Sequence, residues 1–441
     1  MPVGLIESLD QEARGITRLS GKTIFVEGAL PGEEVEYTSF RRKPHFELAT
    51  TDRVQVASSQ RVVPRCPHFG TCGGCSMQHL DGPGQVAVKQ RVLEDALRHV
   101  GSVQAEQIYA PIYGPAWGYR YRARLSVRLV PKKGGVLVGF HERRSSYVAD
   151  MTSCAVLPPR ISALLVPLRR LIESLSIPDR IPQIEVAVGS ETLVLVFRVL
   201  SPLTEADRDL LGEFSRGHGI VIFEQPKGPD SIRSVWPRDP DALFYHLPEF
   251  DISLRFAPTD FTQVNHGING VLVRRAMTLL DPQPGEWIAD MFCGLGNFTM
   301  PIARSGARVV GVEGSDALVR RAQANAAING LDANAEFSLA NLFTVTPELV
   351  SGFGAFDKML IDPPREGAIE LVKSLPDPGP SRIVYVSCNP ATLARDASYL
   401  THQRHYRLRG AGVVNMFPQT SHVESIAVFE RSDRSPTPAE A

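Results

Sequence analysis

The sequence contains no apolar run approaching the ~18 residues that a membrane-crossing helix requires. Its opening residues, MPVGLIESLDQEARG, lack the basic segment and apolar core of an export signal. Both absences lead us to expect a cytoplasmic protein with no membrane contact. An excess of charge is missing as well: 47 Lys and Arg face 48 Asp and Glu, a formal net charge of -1. Any surface for a polyanion must therefore be local. Cysteine is scarce, six in 441 residues, which excludes a disulfide-stapled scaffold. The length exceeds one ordinary core and implies about three domains.

The few cysteines are not spread evenly. Cys66, Cys72 and Cys75 form a C-x5-C-x2-C loop whose glycines at 70, 73 and 74 let the backbone wrap tightly. Crowding of this kind in a cytosolic chain points to a metal or cluster, with Cys154, in a loop-like stretch, as the fourth ligand. Four thiolates suit either a tetrahedral zinc or a [4Fe-4S] cluster, and the spacing leaves both open. His68 is an alternative zinc ligand, although a histidine beside such a loop is more often a surface residue.

Ahead of that loop, residues 1–60 are predicted to form a small OB-like β-barrel. Thr23 to Val26, Glu33 to Phe40 and Phe46 to Val56 are β-rich, and Gly28, Pro31, Gly32 and Pro44 separate them. Residues 1–65 carry nine basic and nine acidic side chains, so an electrostatic signal for nucleic acid is absent there. Behind the loop, Gln85 to Val100 has helical periodicity and reads as a packing helix, one that could lie on the C-terminal domain. The basic charge lies further on. In Tyr119 to Leu129, YRYRARLSVRL, Arg120, Arg122, Arg124 and Arg128 alternate with Tyr121, Ala123, Leu125, Val127 and Leu129. A period of two puts the arginines on one strand face, suited to an RNA backbone; the bland alternative is a solvated face. Trp117, Tyr119 and Tyr121 lie close enough to stack on bases. Residues 161 to 250 mix helix and strand without evident chemistry and complete an α+β central domain, 61–255.

From about residue 256 strands and helices alternate, as in a Rossmann-like α/β domain. Trp287 to Phe292 reads as a strand, followed by Cys293-Gly294-Leu295-Gly296-Asn297 and a helix. Arg308 to Val312 reads as the next strand, ending in Glu313, an acid placed to bind ribose hydroxyls. The third glycine of a dinucleotide fingerprint is absent, with Thr299 in its place, which favours a methyl donor that has no pyrophosphate. Lys358 to Ile361 leads into Asp362-Pro363-Pro364-Arg365. Ile383 to Val386 leads into Cys388, Asn389 and a helix, and at such a turn the helix field is expected to lower the thiol's pKa. Taken alone, Cys388 is more often a packing residue.

Together FTQVN (261–265), DMFCGLGNFTMPIA (290–303), DPPREGA (362–368), SCNPATLARD (387–396) and SHVESIAVFE (421–430) resemble the uracil-5 RNA methyltransferases. The resemblance covers most of the chain. GALPGEEV (28–35) is similar to the TRAM module, and module plus cysteine loop is the combination of the branch that acts on 23S ribosomal RNA. It implies a class I methyltransferase domain over 256–430 and a tail from 431 that is expected to be disordered. Gln263, Phe292, Asn297, Glu313, Asn341 (in LANLF) and Asp362 match the contacts to S-adenosyl-L-methionine. Cys388 matches the nucleophile and Glu424 the base that removes the C5 proton. Cys66, Cys72, Cys75 and Cys154 match the ligands of a [4Fe-4S] cluster. The implied partner is 23S ribosomal RNA with its uridine unpaired or flipped, met by a monomer.

That chemistry explains the residue types. Uracil C5 becomes nucleophilic only after a thiolate adds to C6, and a carboxylate must then take the C5 proton. Three competing readings are a transfer-RNA uracil methyltransferase, a non-catalytic RNA-binding or ribosome-assembly protein, and an amino-group methyltransferase in which Asp362 holds the target nitrogen.

Overall fold

The computed structural model describes residues 1–432. Its first unit is a six-stranded sheet of β1 (Val3–Leu5), β2 (Ser8–Leu9), β3 (Gly15–Leu19), β4 (Lys22–Glu27), β5 (Glu34–Arg42) and β6 (Phe46–Val56), in the order β1-β5-β6-β4-β3-β2. The two edge strands follow one another in the chain, and between them Ile6 N–H donates to Glu33 O while Glu7 N–H donates to Ile16 O. The sheet thus curls on itself around Ile6, Ile24, Val26, Val35, Tyr37 and Ala49. Glu33 is fully buried beneath it and pairs with Arg61, which also reaches Gly28 O.

Two elements come next that belong to the last unit, α1 (Gly82–His99) and β7 (Gln107–Ile108). The central sheet then forms from β8 (Arg122–Val130) and β9 (Gly135–Gly139). After α2 (Pro159–Ser162) and α3 (Leu165–Ser174) it continues with β10 (Gln183–Val188) and β11 (Leu193–Arg198). After α4 (Glu205–His218) come β12 (Val221–Gln225) and β13 (Arg233–Trp236), giving the order β13-β12-β11-β10-β8-β9. Alternation along β8 buries Ala123, Leu125 and Val127 against the helices and exposes Arg124 and Arg128. In the stretch from 161 to 250 that reads as mixed helix and strand, β10 and β11 are joined by the turn at 189–192, and a break separates α2 from α3.

A hairpin of β14 (Leu243–Leu247) and β15 (Ile252–Phe256) opens the last unit. Asn325 and Asn329 of a later helix bond the β15 backbone at Arg255 and Ser253, so the hairpin packs with the C-terminal strands and helices. Then come α5 (His266–Leu280), β16 (Trp287–Met291), α6 (Thr299–Arg304), β17 (Arg308–Glu313), α7 (Asp316–Ile328) and β18 (Ala335–Leu339). They are succeeded by α8 (Pro347–Gly352), β19 (Lys358–Ile361), α9 (Ile369–Lys373), β20 (Arg382–Ser387), α10 (Pro390–Gln403), β21 (Tyr406–Val414) and β22 (Glu424–Arg431). The eight strands order as β18-β17-β16-β19-β20-β22-β21-β7. The five from β18 to β20 are parallel, and β22 runs antiparallel between β20 and β21. Chain order reverses between β16 and β19, and ligands of open α/β sheets bind at the strand ends beside such a reversal.

Helix α1 buries Leu93 and Leu97 in the core of this last unit, beneath α10 and β21. The helix between the cysteine loop and the arginine strand is therefore part of the methyltransferase-like half. Arg431 closes β22, and the tail expected to be disordered lies, from residue 433, outside the described residues.

Candidate active site

The last antiparallel ladder sets the centre of the site. Ser387 of β20 stands opposite Ser425 of β22. Continued by one step, that register puts Cys388, just past the end of β20, across from Glu424, the first residue of β22. Partners across an antiparallel pair have Cα atoms roughly 4.5–5.5 Å apart. Two residues far apart in sequence are thus held side by side by backbone hydrogen bonding alone.

The loop after β19 is clasped from α10. Asn389 caps that helix by accepting from Ala391 N–H and donates its amide to Arg365 O at 3.1 Å, while Thr392 donates to the same carbonyl at 3.2 Å. Asp396, fully buried, accepts from Ala368 N–H and from Tyr385 Oη, each at 2.7 Å. The two motifs DPPREGA and SCNPATLARD therefore fold as one clasp that fixes Asp362 and Arg365 relative to Cys388.

The cavity beside them has a volume of about 480 Å3, within the range of small-molecule sites. Gln263, Phe292, Asn297, Glu313, Asn341 and Asp362 all line it, and so do Cys388 and Glu424. At the turn after β16, Phe292 takes φ of 65°, a strained choice for an aromatic residue, which faces its ring toward Phe343 at 5.6 Å. Glu313 Oε2 accepts from Gly294 N–H at 3.2 Å, locking the glycine turn to the acid at the next strand end. Asn297 lines the wall, but its amide is joined to Asn269 in both directions, at 2.9 and 3.0 Å. Phe261, Tyr245, Arg365, Phe417 and His422 also line the cavity, none of them proposed from sequence as a contact. Phe261 is 73 % exposed, a large apolar side chain at the cavity rim.

Electrostatics reverse one sequence expectation. Cys388 precedes the cap of α10, yet burial pushes its thiol up to about 11, and the carboxylates of Glu424 and Asp362 push in the same direction; Arg365 opposes them. The helix field is outweighed by desolvation of the sulfur, to which the two acids add. Asp362 keeps part of its surface on the cavity but lies deep among protein atoms, and desolvation followed by Glu424 and Asp290 raises its carboxyl to about 8. Glu424 is 6 % exposed; His422 Nε2 lies 3.6 Å from its Oε1, and its Oε2 has no hydrogen-bond partner among the described residues.

The cysteine loop forms a second centre. Cys66, Cys72, Cys75 and Cys154 line a single cavity with the apolar side chains Phe69, Phe140, Met151 and Val156. Burial raises the thiol of Cys75 to about 12 and pushes Cys72 and Cys154 upward. Among the described residues no three His, Cys, Asp or Glu side chains converge on a point that would grasp a bare ion. The four sulfurs border a void instead. His68 Nε2 accepts from Thr152 N–H at 3.2 Å. Residues beside Cys75 reach the other centre: Ser76 N–H and Met77 N–H donate to Gln419 O, and Ser421 N–H donates to Ser76 Oγ at 2.9 Å.

The arginine strand divides into two pairs. Arg124 and Arg128 project from the central sheet beside Arg198 and Lys227. Arg122 instead donates to Pro258 O at 2.5 Å and Asp260 O at 2.7 Å, and Arg120 folds over the Phe140 ring, 5.5 Å from its centroid. A four-arginine stripe is therefore corrected to two exposed arginines, of which Arg124 pairs with Glu185 at 2.9 Å, and two that serve neighbouring loops.

Known proteins share these features. Residues 246–432 match the family described as tRNA (Uracil-5-)-methyltransferase. The chain is 61% identical to the 23S rRNA (uracil(1939)-C(5))-methyltransferase RlmD of Aromatoleum aromaticum, over 98% of this chain and 100% of that one. It is 63% identical to the protein of the same name from Azoarcus sp. strain BH72, with the same coverage. Among solved structures, the Pyrococcus abyssi tRNA (uracil-54, C5)-methyltransferase in complex with S-adenosyl-L-homocysteine superposes with a TM-score of 0.73 at 26% identity, covering 97% of this chain and 100% of that one.

Proposed function

This chain belongs to the uracil-5 RNA methyltransferases of the RlmD type, and from that premise we propose that it uses S-adenosylmethionine to methylate C5 of one uridine in 23S ribosomal RNA, position 1939 in the naming of its relatives. The observation that carries the reading is the register of β20 on β22, which aligns Cys388 with Glu424 beside a cavity of suitable size.

Addition of the Cys388 thiolate to C6 forms a carbon–sulfur bond and shifts the ring's π electrons toward C5. S-adenosylmethionine supplies the methyl group as an electrophile on a cationic sulfur. Glu424 then takes the proton from C5, the C–H electron pair restores the C5–C6 double bond, and the Cys388 thiolate departs. Arg365 faces the sulfur and favours its anionic form. Gln263, Phe292, Asn297, Glu313, Asn341 and Asp362 hold the donor, with Glu313 at the strand end where ribose hydroxyls bind. The target uridine enters flipped out or unpaired, because C5 and C6 are not open to two reactants within a stack.

The four cysteines hold a [4Fe-4S] cluster in this reading, supported by an all-thiol donor set bordering one apolar void. A bound cluster supplies no oxidation state to this transfer, so its contribution is to fold and position the loop. The curled N-terminal sheet is a TRAM-type barrel, Arg124 and Arg128 contact RNA phosphates, and the enzyme works as a monomer in the cytoplasm.

Replacing Cys388→Ala abolishes methylation of unmodified 23S RNA, and RNA carrying 5-fluorouridine traps a denaturation-resistant adduct on the native enzyme. Undiminished turnover by the alanine variant would sink the nucleophile assignment, and absence of methyl incorporation by the native protein would favour the assembly-factor reading. Iron and sulfide analysis after anaerobic purification tests the cluster; zinc without visible absorption overturns it.

A further inference from the structure

Helix α1 carries a buried ammonium that lies outside the catalytic and donor-binding sets. Lys89 is 1 % exposed, and its Nζ donates to Asn415 Oδ1 at 2.8 Å and to Phe417 O at 2.9 Å. Both acceptors are neutral, and no carboxylate lies within 4.0 Å of Nζ among the described residues. Lysine is almost never fully buried without a charged partner, because desolvation of its ammonium is costly. Burial lowers its pKa to about 7, and among the described residues the charged group that favours its ammonium is Glu424.

The ladder brings the two into the same neighbourhood. Glu424 pairs with Val414 across β21 and β22, and Asn415, which accepts from Lys89, is the next residue. Phe417, the second acceptor, lines the cavity and lies edge-on to His422 at 4.6 Å between centroids. The groups around Glu424 are otherwise Asp362 at the end of β19, Cys388 at the end of β20, and His422 on its own segment. If the role of Lys89 were only to tie down the loop, a neutral amide would serve: Gln85, one turn earlier on α1, ties down Gln419 in that way.

We propose that Lys89 is a positioning residue for the deprotonation step, which through Asn415 and Phe417 holds a cation near Glu424 and keeps its carboxylate aimed at the C5 proton. The inference rests on the reading of Glu424 as the base. In the step concerned the C5–H bond breaks, the proton moves to a Glu424 oxygen, and the Cys388–C6 bond breaks as the ring double bond forms. Loss of the nearby cation leaves the carboxylate less well held and so slows this step, while carbon–sulfur bond formation and methyl transfer precede it.

The test separates the two halves of the reaction. Native enzyme, Lys89→Gln, Lys89→Met, Lys89→Arg and Gln85→Ala are each given S-adenosylmethionine with 5-fluorouridine RNA, which reports adduct formation, and with RNA tritiated at uracil C5, which reports proton loss. Lys89→Gln and Lys89→Met are expected to form the fluorouridine adduct at close to the native rate. Both release tritium roughly tenfold or more slowly and accumulate a methylated covalent adduct on ordinary RNA. Lys89→Arg restores release, and Gln85→Ala slows both readouts together. Tritium release by Lys89→Gln in native proportion to adduct formation overturns the proposal, as does equal slowing of both steps. Should the methionine variant fail to fold, the comparison of Gln with Arg at position 89 decides alone. If native enzyme forms no adduct, it is the Cys388 and Glu424 reading that fails.

Discussion

Gln85 and Gln419 hold each other across the seam between α1 and the loop before β22: Gln85 Nε2 donates to Gln419 Oε1 at 3.0 Å, and Gln419 N–H donates to Gln85 Oε1 at 2.8 Å. The same amide also reaches Met77 O and Leu80 O in the segment after the cysteine loop. One buried side chain therefore joins three stretches that the chain order keeps apart. Gln85→Leu keeps the volume but strands these buried groups, each at a cost of about 1–3 kcal/mol. We expect a lower unfolding midpoint in urea and faster amide exchange over residues 415–421, measured by mass spectrometry.

The raised thiol of Cys388 has a direct kinetic signature. The thiolate is the reactive form, so in the free enzyme alkylation of Cys388 by iodoacetamide should be slow near pH 7 and climb about tenfold per pH unit toward its value of about 11. Replacing Glu424→Gln removes one of the two carboxylates that face the sulfur and should move the profile to lower pH. A profile that levels off near pH 7 in the native protein would mean that the helix field prevails after all.

Asp362 offers a second titration, nearer neutral pH. Its carboxyl is raised to about 8, so it is largely protonated at pH 7 and becomes an anion as pH rises through that value. An anion on the cavity wall favours a sulfonium cation over a neutral thioether. The ratio of affinities for S-adenosylmethionine and S-adenosylhomocysteine should rise by about threefold to tenfold between pH 6.5 and 9, read by calorimetry. The two ligands share every other group, so the ratio isolates the sulfur charge. Asp362→Asn should leave the ratio flat.

The divided arginine strand predicts divided outcomes. Arg124→Glu with Arg128→Glu should weaken binding to single-stranded RNA and reduce the slope of log affinity against log salt by about 1.4, at about 0.7 for each phosphate no longer neutralised. Thermal stability should fall only slightly, because both side chains are exposed and the pair that Arg124 forms with Glu185 is open to solvent on the arginine side. Arg122→Ala should do the reverse, lowering stability through the uncapped carbonyls of Pro258 and Asp260. Equal loss of RNA affinity in both variants would return Arg122 to the RNA surface.

What could be read from the sequence was whatever lies within one strand and its adjoining turn. Glu313, Asp362 and Cys388 each close a parallel strand, and the apolar run that ends in a functional residue is visible locally. Contacts between such turns were not visible. The pKa of Cys388 depends on Glu424 and Asp362, which lie 36 and 26 residues away along the chain. The period of two along β8 assigned the arginines to the correct face, but a sequence does not reveal that the 258–260 loop lies over one of them. On α1 a signal was present and went unused. The buried face runs through Gln85, Lys89, Leu93 and Leu97, a spacing of four that places two polar residues on an otherwise apolar stripe. Polar side chains in such positions mark something they must hold.

The strand that bears Glu424 is the last element of the sheet in chain order, yet it is inserted between β20 and β21, both made before it. A chain cut before Glu424 therefore keeps the nucleophile and its turn but loses at one stroke the facing acid and the ribbon that joins β20 to β21.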